Sequence, residues 1–299
     1  MLRALSWCRE VTDLTQFKAD RPPPISSARV IVHFFLFPMQ LGLCLDPATL
    51  ATLPAPHDFD FIEGHVQNFL LPSSPDEAFA PHLAALRACP LPMPASNSFL
   101  PPGLKVVGPA VDQAALSRYA DTAFRRARSV GMSIMVFGSA GARMIPEGWS
   151  AARGFEQYIE ALRLFAPLAQ AQGVTLVVEP LNRVECNLVN TIVEGAEAVN
   201  RANHPAVKLL VDLFHMLRNG EAPDDILRVG PVHHAHLAED KDRAAPGING
   251  DDFRPFFRAL KQIGYNDRLT IECIWKNAPA HEAAPALVAL RRQLAEAGY

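Results

Sequence analysis

Four residues that can ligate a metal or move a proton lie at or near the ends of apolar segments in the second half of the chain. They are Glu179 in "TLVVEP", Asp212 in "KLLVDL", His236 in "HHAHLAE" and Glu272 in "LTIECI". Three carboxylates and one imidazole form a hard, oxygen-rich donor set that suits Mn²⁺, Mg²⁺ or Co²⁺. Burying the carboxylates together without a cation would be costly. These residue types therefore predict a divalent metal site if the fold brings them together.

A second polar residue follows three of these four at short spacing. Glu185, His215 and Arg243 are a carboxylate, an imidazole and a guanidinium, which suit the hydroxyl and carbonyl oxygens of a small polyol. The alternative is that Glu185 and Arg243 simply pair on the surface, which would stabilise little. His234 shares the strand face of His236 and is predicted to support it from behind the metal.

The elements that must position these side chains alternate between short apolar segments and longer amphipathic ones. Strands that are apolar on both faces and alternate with helices indicate a parallel sheet. Eight such units in about 260 residues predict a closed (β/α)8 TIM barrel. A doubly wound open sheet is the runner-up, but no G-x-G-x-x-G motif follows the first strand. The predicted strands cover 40–45, 59–64, 93–100, 133–138, 175–180, 208–213, 233–239 and 269–274.

The clearest helix signal runs over 150–172. An apolar stripe with helical spacing occupies this segment, and Gly173 follows where a C-terminal cap is expected. In a parallel barrel the carboxyl ends of all strands meet on one face. Residues that end different strands therefore converge there, and this rule brings the four predicted ligands into one site.

Composition narrows the class of protein. The chain has 299 residues, 49% of them hydrophobic, and a net charge of −3, which argues against nucleic acid as the main partner. Five widely spaced cysteines without a C-x-x-C pair indicate reduced thiols and a cytoplasmic protein. The apolar stretch "VIVHFFLFPM" is too short to span a bilayer, so no membrane partner is expected.

The first 38 residues fit neither the strand nor the helix pattern. They carry "RPPP" and end just before Met39, which could itself start a complete barrel. We expect residues 1–38 to be an N-terminal extension of low order or the result of a start codon assigned too early. The barrel is predicted to occupy 39–299.

Four segments resemble a known family. The sequences "EPLNRVECNLVNT", "VDLFHM", "HAHLAEDKDRAAPG" and "LTIEC" are similar to segments of the xylose-isomerase-like sugar isomerase and epimerase superfamily, and most closely to ketose 3-epimerases. The similarity covers roughly residues 39–290 and is strongest after Val174. It implies a metal-dependent sugar epimerase on a TIM barrel, and it is compatible with a homo-oligomer.

The resemblance also implies a role for each motif residue. Inverting a carbon next to a carbonyl requires a proton to leave one face and return to the other through a cis-enediolate, so two carboxyl groups must flank the substrate. The resemblance assigns this work to Glu179 and Glu272. It implies that Glu179, Asp212, His236 and Glu272 bind the metal, most often Mn²⁺, and that Glu185, His215, Arg243 and Glu63 contact the substrate.

Some features depart from the family pattern and leave alternatives open. The family segment commonly reads H-x-x-E-x-x-R, whereas "HLAEDKDR" places Arg243 one residue later. Gly138, Ser139 and Gly141 with Arg143 could cradle a phosphate, or form only a turn before the long helix. The same site could instead catalyse elimination, as in inosose dehydratases, or cleavage of a C-linked sugar, or serve a non-catalytic sugar-binding barrel.

Overall fold

The computed structural model describes residues 39–54 and 58–299. The interpretation of residues 1–38 lies outside this described part of the chain. Eight parallel strands close into a barrel in which each strand pairs with the next along the chain and the last pairs with the first. The predicted (β/α)8 barrel is therefore confirmed. The strands are β1 Gln40–Cys44, β2 Phe61–His65, β3 Ala95–Asn97, β4 Ile134–Phe137, β5 Thr175–Val178, β6 Val207–Asp212, β7 Val232–Leu237 and β8 Arg268–Ile271.

Helices surround the barrel and connect its strands. Short 3₁₀ turns at Pro223–Arg228 and Lys241–Arg243 lie in the connections before and after β7. None of the helices in the described part of the chain has the length and apolar character needed to span a bilayer. The helices are α1 Pro47–Leu50, α2 Val66–Phe69, α3 Asp76–Arg87, α4 Gln113–Ser129, α5 Ala140–Arg143, α6 Ala151–Ala171, α7 Ile192–Ala202, α8 Leu213–Asn219, α9 Arg254–Gln262 and α10 Pro279–Ala297.

The helix predicted over 150–172 is α6. The side chain of Ser150 caps it by accepting a hydrogen bond from the backbone N–H of Arg153. Gly173 follows with φ +68°, a conformation that glycine adopts without steric cost. Phe165 on its buried face meets Phe99 from the β3 loop edge to face, with ring centroids 5.2 Å apart. This contact packs α6 against the segment that follows β3.

The barrel interior is apolar on some strands and polar on others. An apolar layer from four strands fills part of it, comprising Ala95, Ile134, Val136, Val177 and Leu210. A polar group on other strands is fully buried beside it. The strand register places Asp212 beside His236 and His236 beside Thr270, so residues of β6, β7 and β8 lie at one level. Polar side chains on neighbouring strands are thereby held side by side.

Glu221 gives a prediction about stability. Its carboxylate accepts a hydrogen bond from the backbone N–H of Ile192 at 2.8 Å, at the start of α7. Burial raises the pKa of Glu221 from 4.5 to about 7, and the nearby charges of Asp225 and Glu194 act in the same direction. At Glu221 the folded state therefore binds more protons than the unfolded state between these values, and the contribution of Glu221 to the free energy of unfolding should fall as pH rises from about 4.5 to about 7.

The variant Glu221→Gln keeps an acceptor for Ile192 and cannot ionise. Because Glu221 is only partly buried, we expect the variant to gain about 1 kcal/mol over the wild type at pH 8 and nothing at pH 4.5. Denaturant midpoints at the two pH values measure this. Glu160→Gln, which removes one member of an exposed ion pair with Arg153, is the control. An equal pH dependence in the Glu221 variant and the wild type would contradict the assignment.

Candidate metal centre and active-site cavity

The four predicted ligands lie together at the carboxyl end of the barrel. Glu179 directly follows β5, Asp212 ends β6, His236 lies in β7 and Glu272 directly follows β8. One ligand atom from each of the four lies within 4.8 Å of those of the other three. The convergence of strand ends in a parallel barrel explains how residues far apart in sequence form one cluster.

Asp212 is oriented by the helix that it begins. One carboxylate oxygen, Oδ1, accepts hydrogen bonds from the backbone N–H groups of Phe214 at 2.8 Å and His215 at 3.3 Å. The segment "DLFH" therefore uses its aspartate as the cap of α8. The other oxygen, Oδ2, is left to face the cluster.

Three atoms of the cluster are buried and lack hydrogen-bond partners among the described residues. They are Oε1 of Glu179, Oδ2 of Asp212 and Nδ1 of His236. Buried polar atoms are almost always paired, so such a group of orphans requires an explanation. A divalent cation would accept all three lone pairs at once, and the donor set of three carboxylates and one imidazole suits it. The cluster therefore fits a metal ion.

Burial and the charges around the cluster shift the pKa values of Glu179 and Glu272 in opposite directions. Burial raises the pKa of Glu179, and the charge of Glu272 adds to this effect. Burial would also raise the pKa of Glu272, but the positive charges of Arg243 and His236 outweigh it and lower that pKa to about 2. Burial lowers the pKa of His236, yet the surrounding carboxylates raise it well above its ordinary value.

A cavity of about 340 Å³ opens onto the cluster. Glu179 and Glu272 line it from strands three positions apart around the barrel, and Glu185, His215 and Arg243 line it as well. It is also lined by residues at the end of β2 and in the segments that follow β2, β3 and β4, including His65, Gln67, Ser98 and Gly141. All three polar residues predicted from short spacing therefore reach the same space.

His215 presents a donor to this cavity. The backbone N–H of Asn182 donates to Nδ1 of His215 at 3.1 Å, so Nε2 carries the ring proton. Nε2 is buried, has no hydrogen-bond partner in the described structure and lies 3.6 Å from Oδ2 of Asp212. The same Asn182 also donates to Glu185 at 2.8 Å. One asparagine thus orients both polar residues, although the sequence analysis did not identify it.

Arg243 reaches the site despite its displaced position in the sequence. Asp242 and Arg243 both adopt left-handed backbone conformations, with φ +64° and +49°. This tight turn brings the guanidinium against the carboxylate of Glu272 and places its carbon 4.6 Å from the centroid of the Phe214 ring. Glu185 lies 3.7 Å from the same guanidinium. The alternative that Glu185 and Arg243 only form an ion pair on the surface does not fit this arrangement, because Arg243 is mostly buried.

Glu63 lies in a different place from the one expected. The residue is 1% exposed, and Glu63 is not among the described residues that line the cavity. Its carboxylate instead meets Nε2 of His234 at 2.9 Å and Nε2 of His236 at 3.0 Å. The prediction that Glu63 contacts substrate is thus not supported, because β2 continues to His65 and Glu63 lies within the strand, where its side chain turns into the barrel.

The loop after β4 does not form a phosphate cradle with Arg143. Arg143 is fully buried and donates to the backbone carbonyl groups of Phe137 and Val189, both at 3.3 Å. The hydroxyl of Ser139 accepts a hydrogen bond from the backbone N–H of Leu100. Arg143 therefore stabilises the backbone around this loop, and its buried charge is not available to a ligand.

Two further residues support the site without having been predicted. Asn97, the last residue of β3, donates to Oε1 of Glu272 at 2.7 Å. Glu239 is fully buried and accepts backbone hydrogen bonds from the loop that follows β7, including Gly247 at 2.7 Å. Asn97 could have been identified from its place at the carboxyl end of β3, but the strand predicted over 93–100 extended beyond it. Glu239 is the glutamate of the motif "HLAE".

Comparisons with known proteins agree with this geometry. Residues 55–294 match the family model for the xylose isomerase-like TIM barrel. A segment of 136 residues is 30% identical to an L-ribulose 3-epimerase of Methylomonas sp. (strain DH-1), covering 40% of this chain and 47% of that protein. A segment of 119 residues is 33% identical to a D-psicose 3-epimerase of Ruminiclostridium cellulolyticum, covering 40% and 41%. The aligned segments thus span less than half of either relative.

A solved structure shares the whole barrel. The crystal structure of a D-psicose 3-epimerase in the presence of D-fructose superimposes with a TM-score of 0.73 and 19% sequence identity, covering 86% of this chain and 99% of that chain. At this identity the likeness concerns the fold.

Proposed function

Because this chain belongs to the xylose isomerase-like TIM barrel family, we propose that it is a divalent-metal-dependent epimerase that inverts a carbon next to the carbonyl of a ketose. The observation that carries the proposal is that Glu179 and Glu272 belong to the candidate metal cluster and also line the cavity beside it. The names of the two sequence relatives, both 3-epimerases of ketoses, support the choice of substrate class.

The metal would be held by Glu179, Asp212, His236 and Glu272, and Mn²⁺ is the proposed ion. A bound cation polarises the substrate carbonyl and stabilises the negative charge that develops when the neighbouring carbon loses its proton. The orphaned atoms of the cluster support this assignment.

One glutamate would remove a proton from the substrate carbon, and the other would deliver a proton to the opposite face of that carbon. Glu272 contacts the guanidinium of Arg243, whose positive charge lowers its pKa, so it is ionised at neutral pH and can accept a proton from carbon. Glu179 lines the cavity from a strand three positions away around the barrel, so this carboxyl group would return a proton to the other face. For the reverse reaction the two groups exchange roles.

The remaining polar residues would hold the substrate oxygens. His215 offers its Nε2 proton, Arg243 offers guanidinium protons beside Glu272, and Glu185 offers carboxylate oxygens. Fixing several hydroxyl groups aligns the reacting carbon between the two glutamates, and such alignment supplies a large part of enzymatic rate enhancement.

Metal removal tests this proposal. Protein treated with EDTA and then dialysed should lose nearly all conversion of D-fructose, D-psicose, D-tagatose and L-ribulose, and Mn²⁺ should restore it, with products separated by chromatography. Turnover that is unaffected by metal removal would contradict the proposal. Loss of water from an inosose, or release of an aglycone from a C-linked sugar, with no ketose interconversion would favour elimination or C-glycoside cleavage instead. Binding of sugars without any turnover would favour the non-catalytic barrel.

A further inference from the structure

A buried hydrogen-bond network lies directly behind the candidate metal centre. The carboxylate of Glu63 meets Nε2 of His234 at 2.9 Å, the hydroxyl of Thr270 at 2.9 Å and Nε2 of His236 at 3.0 Å. Thr270, His234 and His236 are 0% exposed, and Glu63 is 1% exposed. The four side chains come from β2, β7 and β8, so the closed barrel itself holds them together.

The network determines which ring nitrogen of His236 is directed towards the candidate metal cluster. An ionised carboxylate only accepts hydrogen bonds, so the nitrogen of His236 that faces Glu63 must carry a proton. That nitrogen is Nε2. The other nitrogen, Nδ1, lies 3.4 Å from Glu179 and 3.5 Å from Glu272 and points into the cluster.

We propose that Glu63 is a positioning residue that fixes the ring of His236 so that Nδ1 presents its lone pair to the metal, and that His234 and Thr270 hold Glu63 in place. This inference rests on the proposed function only in taking the cluster to hold a divalent cation. It assigns no contact with substrate to Glu63. Carboxylates that bind the far side of a metal-ligating histidine commonly tune metal affinity in this way.

A second metal ion among Glu63, His234 and His236 is the competing interpretation, since their ligand atoms also lie close together. Three observations favour the hydrogen-bonded network. The distances of 2.9–3.0 Å are those of direct hydrogen bonds, and Thr270 satisfies the same carboxylate as a third donor. His236 would also have to give up both ring protons to serve two cations.

The variant Glu63→Gln tests whether the charge of Glu63, and not its size, positions the ring of His236. Glutamine has the same size, but it has one acceptor oxygen and an amide group that donates. It also carries no negative charge to hold the proton of His236 on Nε2, so that proton can move to Nδ1. That tautomer has no lone pair for the metal. We therefore expect the dissociation constant for Mn²⁺ to rise about 10- to 100-fold.

Calorimetric titration of metal-free protein with Mn²⁺ alone measures this effect. Ser96→Ala is the matched control, because Ser96 is also fully buried in a barrel strand and its hydroxyl has no hydrogen-bond partner among the described residues. The control should bind Mn²⁺ as the wild type does. Thermal midpoints of the metal-free forms distinguish weakened binding from general destabilisation, since a merely structural role would lower the midpoint and leave the dissociation constant of the folded protein unchanged.

The wild type provides a test that does not depend on the variant folding. In protein labelled with ¹⁵N-histidine and saturated with diamagnetic Zn²⁺, the His236 signal, identified by its loss in His236→Asn, should show a protonated Nε2 and an unprotonated Nδ1. The opposite tautomer, wild-type affinity in Glu63→Gln, or binding of two Mn²⁺ ions with one lost in that variant would overturn the inference. Because no sugar is present, a protein that passes these tests and epimerises no ketose refutes the proposed function alone.

Discussion

Replacement of Glu272 by glutamine is expected to lower kcat for ketose epimerisation by about 10²- to 10⁴-fold, the range typical for loss of a general acid–base group. Glutamine keeps the size of the side chain and an oxygen that can accept the hydrogen bond from Asn97. It cannot take a proton from carbon. The variant should be assayed at saturating Mn²⁺, so that weaker metal binding does not contribute to the loss.

The matched control is Glu185→Gln. Glu185 lines the same cavity and lies beside the same arginine, but it is not a member of the four-residue metal cluster. We expect this variant mainly to raise KM, because its carboxylate is proposed to hold substrate oxygen. If Glu272→Gln keeps wild-type kcat, or if both variants lose kcat equally, Glu272 is not the distinct proton acceptor that we propose.

Adding one methyl group at Gly138, which directly follows β4 beside β5, should displace Glu179 and lower the activity. A Cβ atom at this position would lie 2.0 Å from Oε2 of Glu179, far inside the contact distance. The carboxylate is the end of a flexible side chain, so it can move away at little cost to folding. The movement would displace a proposed metal ligand and proton carrier together. A displacement of this size is expected to lower kcat/KM on the order of 10²-fold in Gly138→Ala.

Gly103→Ala is the control for this substitution. No atom lies within 4 Å of the Cβ that alanine would add at Gly103, and the backbone there does not require glycine. Thermal midpoints of both variants should stay close to that of the wild type, whereas metal affinity and kcat/KM should fall only in Gly138→Ala. Wild-type activity in Gly138→Ala would show that the position of Glu179 does not matter for turnover.

The sequence was sufficient to predict which polar residues the strand ends bring together. Glu179, Asp212 and Glu272 each follow or end an apolar strand, and the geometry of a parallel barrel brings such positions to one face. The long helix α6 was also predictable, since its apolar stripe, its serine cap and its terminal glycine all agree.

The surroundings of these residues depended on features that sequence spacing does not encode. Glu63 was expected to contact substrate, but its side chain turns into the barrel towards two histidines on another strand. Arg143 was considered as part of a phosphate cradle, yet its guanidinium is buried and donates to backbone carbonyl groups. Arg243 reaches the site only because two consecutive residues adopt left-handed conformations. Such details follow from long-range packing.

Deuterium incorporation is the most direct test of proton transfer at this site. Mn²⁺-loaded wild-type protein incubated with D-psicose or D-fructose in D2O should yield product that carries deuterium at carbon 3, detected by NMR, and Glu272→Gln should slow this incorporation along with turnover. Interconversion of the two sugars without any deuterium at carbon 3, or equal incorporation in the wild type and the variant, would contradict a reaction in which Glu179 and Glu272 exchange a proton with the substrate.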